Sequence, residues 1–162
     1  MHIFAPLIDR CNAAHVPVLV DPKSLDLHLS QYATLIKPNK HEAERLAQRE
    51  IRDEATFLAA GRYLSDLLPG TAVLITRGAL GMSLFRQHAE PFHLAPVSRT
   101  VYDVTGAGDT VISTLAVAMA SGATIEESSW LATRAAAIAV DKLGTATVTI
   151  SELKKLCTEM MD

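Results

Sequence analysis

The sequence predicts an α/β fold built on a mainly parallel sheet. Two patterns carry this expectation. Short, apolar runs rich in β-branched residues end abruptly in polar ones, as buried parallel strands do. Between them lie amphipathic stretches with recognisable helix caps. A third observation sets the scale: 162 residues, 49% apolar and 20% charged, suit one domain with a sizeable core.

The elements follow in order. Pro17-Val18-Leu19-Val20-Asp21 is an apolar run closed by an acid, and Ala33-Thr34-Leu35-Ile36 is a second strand. Residues 39–48 form a helix with Ala43 and Leu46 on one face. Residues 53–68 carry Phe57, Leu58, Leu64, Leu67 and Leu68 at helical spacing, stopped by Pro69-Gly70. Ala72-Val73-Leu74-Ile75 is a third strand, and residues 82–86 and 91–94 read as a hairpin after it. Thr105-Gly106-Ala107-Gly108-Asp109 then leads into an apolar helix to about Ser121. Thr124 with Glu127 makes a capping box for a helix to about Leu143, and Thr149 with Glu152 caps the last. Ligands of such sheets sit at the carboxyl ends of the strands, which is where the informative loops fall.

Composition narrows the function. No run of about 18 uncharged apolar residues could span a membrane, and Met1-His2-Ile3-Phe4 lacks the basic start of a signal peptide. Cys11 and Cys157 lie at opposite ends without CxxC spacing, so a reducing, cytoplasmic setting is expected. The net charge of −3 is mixed along the chain, with no basic stripe for nucleic acid. The six histidines are scattered without zinc spacing.

The stretch Asp103-Val104-Thr105-Gly106-Ala107-Gly108-Asp109 carries the chemistry. Gly106 and Gly108 permit a tight turn that leaves backbone amides uncovered. The turn opens a helix, so N–H groups and the positive dipole end converge on a site for anionic oxygen. Asp109, in the first turn, is placed to take a proton from a hydroxyl beside a transferring phosphoryl group. The structural alternative is a glycine turn with an N-terminal acid that stabilises its helix. The Rossmann pattern fails because Val111 stands where a third glycine belongs, and no glycine here is followed by Lys and Ser/Thr as a P-loop requires.

Asp-x-Thr-Gly-Ala-Gly-Asp over residues 103–109 resembles the signature of the PfkB carbohydrate kinases. The resemblance implies a ribokinase-like, three-layer α/β/α sandwich, with Asp109 as catalytic base and Gly106, Ala107 and Gly108 as the anion hole. It implies Asp103 and Thr105 near a monovalent cation, for which K⁺ is the candidate, and Mg²⁺ with ATP as donor. Asn39 and Glu42 are by themselves a capping box; the family's Asn-x-x-Glu also organises Mg²⁺ through water. Thr76-Arg77-Gly78-Ala79-Leu80-Gly81 is by itself a glycine-containing turn. The resemblance implies that Thr76, Gly78 and Gly81 line the nucleotide site. It adds Thr133 and Gly144, with the departure that Thr133-Arg134 stands where the family usually carries an asparagine.

Asp21-Pro22-Lys23, Val101-Tyr102-Asp103-Val104-Thr105 and residues 142–148 resemble the heptose 7-phosphate kinases, the kinase domains of bifunctional heptose kinase/adenylyltransferases. This implies phosphorylation of the anomeric hydroxyl of D-glycero-D-manno-heptose 7-phosphate, towards ADP-heptose and the lipopolysaccharide core. The family's Gly-Gly-x-x-x-Asn sugar site and sheet lid belong to an N-terminal half not present in this sequence. A ribokinase-like domain truncated on that side is expected to bind nucleotide, to transfer phosphate poorly alone, and to form a homo-oligomer or pair with a complementary chain. The alternative reading is a nucleotide-binding fragment or subunit without independent kinase activity.

Overall fold

Parallel pairing organises the first half of the chain. The computed structural model describes residues 3–23, 26–97 and 104–159. β1 (Leu19–Val20) pairs with β2 (Leu35–Ile36), and β2 with β3 (Ala72–Thr76), all parallel. Leu19 stands opposite Leu35, and Ile36 opposite Val73. β4 (Met82–Phe85) and β5 (Phe92–Leu94) complete the order β1-β2-β3-β4-β5. The first two strands are shorter than the apolar runs that predict them. Val18 carbonyl oxygen accepts from both the Thr34 and Leu35 amides, and Thr34 Oγ1 accepts the Val18 amide. A side chain has replaced one rung, so the regular ladder begins a residue later.

Parallel neighbours need a crossover. Between β2 and β3 it is made by α2 (Lys40–Ala47) and α3 (Glu54–Leu67). Asn39 caps α2 in a complete box with Glu42, and Asp53 caps α3 in a box closed by Thr56. Phe57, Ala60, Leu64 and Leu68 fall on one face of α3 and are buried with Val73, Ile75 and Phe85. Leu67, expected on that face, lies roughly a quarter turn off it and is exposed. The Phe57 and Phe85 rings meet edge to face at 5.5 Å. α1 (Phe4–Ala13) buries Ile8 alone.

The chain divides into two compact units, residues 1–77 with 83–93, and residues 78–82 with 94–162. In the second, α4 (Ala107–Ala120) packs on α5 (Ile125–Val140), followed by α6 (Ile150–Glu159). Val111, Leu115 and Ala118 form the buried stripe of α4. α5 buries small residues (Ser128, Ser129, Ala132, Ala135), which permit close helix approach. It ends at Val140, short of the expected Leu143, with Asp141 as the C-cap residue and Gly144 at a left-handed φ of 72° in the turn beyond. No helix among the described residues is long and apolar enough to cross a membrane.

Gly61 marks the tightest point of α3. A Cβ there would lie 2.3 Å from Phe85 Cζ, and Phe85 is 1% exposed, so its ring has nowhere to swing. Alanine is the better helix former by about 1 kcal/mol, yet overpacking opposes it. Gly61→Ala is expected to lower stability by about 1–3 kcal/mol in urea denaturation. Phe85→Leu in the same chain should recover part of the loss. A single variant as stable as the parent would refute this packing account.

Candidate functional site

The carboxyl ends of three parallel strands gather a charged cluster in the first unit. Asp21 directly follows β1, Lys37 directly follows β2, and Asn39 bridges in parallel to Thr76 at the end of β3. Thr76 is tied further by its amide to the Pro38 carbonyl at 3.0 Å. Lys37 is 2% exposed, and its Nζ lies 3.2 Å from Asp21 Oδ1. That oxygen is buried and receives no well-directed hydrogen bond, so the contact is an ion pair by proximity alone. Lys23 Nζ lies 3.1 Å from Asp21 Oδ2 and 3.0 Å from Glu42 Oε1.

Asn39 and Glu42, expected to serve a metal, are first of all the cap of α2. Asn39 Oδ1 accepts the Glu42 amide at 2.9 Å, and Glu42 Oε2 accepts the Asn39 amide at 2.8 Å. One carboxylate oxygen of Glu42 is therefore locked, and the other faces Asp21 across an ammonium group. Two oxygens from separate elements converging on one cation form a donor set that suits a hydrated Mg²⁺, which keeps several waters and borrows few carboxylates. On this geometry Asn39 orients Glu42, since its own oxygen is already used.

The second unit holds the glycine turn. Gly106, at φ 78° and ψ −3°, is the N-cap of α4, a left-handed conformation suited to glycine. A Cβ there would also come within 3.0 Å of the Thr145 methyl group. Unlike α2, α3 and α5, this helix has no side-chain cap. The first intrahelical bond runs from the Thr110 amide to the Gly106 carbonyl at 2.9 Å. The Ala107 amide turns back to the Val104 carbonyl at 3.2 Å. That leaves the Gly108 and Asp109 amides as the first-turn donors for which an α-helix has no internal partner. Asp109 is the acid of that turn and is exposed. Thr105 is exposed just before the turn, and Asp103 lies outside the described residues.

The remaining predicted positions divide by role. Gly81 has φ 80°, and a Cβ there would meet the Leu94 carbonyl at 2.1 Å, so backbone packing alone demands glycine. Gly78 (φ 56°) and Gly144 (φ 72°) are exposed, with open space where a Cβ would stand. Thr133 is buried, and its hydroxyl donates to the Ser129 carbonyl at 2.9 Å. Its neighbour Arg134 lies over the Trp130 ring and donates to the Trp130 carbonyl. Thr76 alone of the expected nucleotide residues joins the strand-end cluster. Sequence reasoning passed over Lys37 as a site residue. Its signal was a lone lysine immediately after a buried strand, the position at which parallel sheets present side chains to ligands.

A profile of the pfkB family of carbohydrate kinases matches residues 3–152. Among curated proteins, the bifunctional protein HldE of Haemophilus influenzae is 46% identical over 148 residues, which is 91% of this chain and 31% of the relative. That of Alkalilimnicola ehrlichii is 47% identical over 154 residues, 95% of this chain and 32% of the relative. The chain thus spans about a third of the length of these relatives. Among solved structures, Arabidopsis thaliana ribokinase complexed with ribose and ATP superposes with a TM-score of 0.83 at 28% identity, over 95% of this chain and 51% of that one. Escherichia coli phosphofructokinase-2 in complex with potassium gives 0.82 at 19% identity, over 99% and 53%, a likeness of fold.

The segment after α5 is pinned to α6 by charge. Lys142 Nζ lies 2.7 Å from Glu152 Oε1 and donates to the Thr147 carbonyl. The Lys142 ammonium, with the Thr149 amide and hydroxyl, draws the Glu152 carboxyl down to about 2 from an ordinary 4.5. Because the folded value is the lower one, this contribution to stability is complete above about pH 4.5 and is lost as pH falls toward 2. Lys142→Met is expected to raise the Glu152 midpoint toward its ordinary value in a carboxyl ¹³C titration. An unmoved midpoint would show that Lys142 does not hold this loop.

Proposed function

The chain belongs to the pfkB family of carbohydrate kinases, and we propose that it transfers the γ-phosphoryl group of ATP to the anomeric hydroxyl of a heptose 7-phosphate. The observation that carries the reaction type is the glycine start of α4, which has no side-chain cap and holds Asp109 in its first turn. The sugar rests on the HldE relatives at 46% and 47% identity and on the heptose-kinase-like stretches at Asp21-Pro22-Lys23 and residues 142–148. The product would feed ADP-heptose and lipopolysaccharide-core synthesis in the cytoplasm.

In this reading the Gly108 and Asp109 amides, at the positive end of the helix dipole, hold the equatorial oxygens of the moving phosphoryl group. Asp109 accepts the proton of the sugar hydroxyl as that oxygen forms its bond to the γ-phosphorus. The bond from the γ-phosphorus to the bridging oxygen breaks, and ADP leaves with the electron pair. Glu42, steadied by Asn39, and Asp21 are the carboxylates that would hold Mg²⁺, whose charge would neutralise the phosphates. Thr76 and Lys37, at the adjacent strand ends, supply a hydroxyl and a buried cation suited to phosphate oxygen. Thr105 and Asp103 are assigned to a monovalent cation such as K⁺, which accompanies the phosphofructokinase-2 neighbour in its structure.

The solved neighbours are about twice the matched span, which favours a second reading: nucleotide binding without independent transfer. Calorimetric titration with ATP, followed by a turnover assay with heptose 7-phosphate, separates the two. Asp109→Asn is expected to keep nucleotide affinity and to lower turnover by about 10²–10⁴-fold. ATP binding with no transfer in the parent chain would select the second reading. Undiminished turnover in Asp109→Asn would remove the mechanism.

A further inference from the structure

Lys23 differs from the other three charged members of the strand-end cluster, Asp21, Lys37 and Glu42, in being largely in solvent. Its side chain is 69% exposed, against 18% for Asp21, 15% for Glu42 and 3% for Lys37. The two carboxylates are fixed from behind, Asp21 by the buried Lys37 and Glu42 by the Asn39 amide. Lys23 bridges their two outward oxygens at 3.1 and 3.0 Å. Two acids and two lysines make the cluster neutral. If Lys23 swings out, two fixed carboxylates remain against one buried cation, with both outward oxygens released from the ammonium. Such a vacated site calls for a cation, and a divalent ion answers it better than a monovalent one.

We propose that the Lys23 ammonium is a built-in competitor for the divalent cation, bridging Asp21 and Glu42 until Mg²⁺ displaces it and so setting the metal affinity of this site. The inference rests on the reading that Glu42 and Asp21 serve Mg²⁺. Lys23 is the partner able to leave, because ion pairs of solvent-exposed side chains hold weakly, whereas Lys37 cannot shed its buried pairing. The exchange is a swap of cations between the cluster and solvent; no covalent bond changes.

Equilibrium binding of Mn²⁺ alone, read from the electron paramagnetic resonance signal of the free ion, tests this on the full chain. Lys23→Met is expected to bind about three- to tenfold more tightly than the parent, a gain that shrinks as salt is raised. Lys23→Arg, which keeps the charge, should bind as the parent does. Glu42→Gln should weaken binding in both the parent and the Lys23→Met chain. If Glu42→Gln weakens binding but Lys23→Met leaves it unchanged or poorer, the competitor role is overturned and the metal reading stands. If Glu42→Gln has no effect in either background, the metal reading itself falls, and the competitor role with it.

Discussion

Parallel pairing of β1, β2 and β3 is the constraint from which the first unit takes its chemistry. Three strands running the same way finish at the same edge, so the residues immediately after them are brought together whatever their distance in sequence. Asp21, Lys37, Asn39 and Thr76 are such residues. An antiparallel β2 would carry Lys37 to the opposite edge and leave a buried ammonium without a counter-charge. Burial of an unpaired charge is costly enough that the fold itself would suffer. Architecture and polar cluster are in this sense one arrangement.

The helix starts meet the same backbone deficit in two ways. Every α-helix begins with amides that lack internal partners. Side chains of Asn39, Asp53 and Thr124 satisfy some of them in α2, α3 and α5, and reciprocal bonds from Glu42, Thr56 and Glu127 complete each box. α4 begins instead with a glycine whose missing side chain supplies no cap. The capped helices gain local stability that α4 goes without. At α2 the cap that starts the helix also leaves one oxygen of Glu42 turned to Lys23.

Packing explains several glycines that a motif reading assigns to a ligand. Gly81 is closed in by the Leu94 carbonyl, and Gly106 is both left-handed and crowded by Thr145. Gly61, in mid-helix and in no motif, is fixed by the Phe85 ring. Thr133 likewise spends its hydroxyl on the Ser129 carbonyl within its own helix. A residue type that suits a ligand can therefore also be demanded by its neighbours, and only contacts distinguish the two.

Local sequence determined the kinds and order of the strands and helices after α1. Hydrophobic period and capping pairs are short-range signals that survive without any knowledge of the fold, and so does the signature over residues 103–109. Element lengths were less legible: Thr34 takes the Val18 amide in place of a ladder bond, and α5 stops three residues before the expected Leu143. Tertiary structure alone decided which charges meet. Asp21, Lys23, Lys37 and Glu42 are joined across two strand ends and a helix start, and no spacing rule foretells that Lys37 is buried while Lys23 is not. The physical reason is that Coulomb pairing and desolvation depend on distance through space, which the sheet sets, whereas period and capping depend on distance along the chain.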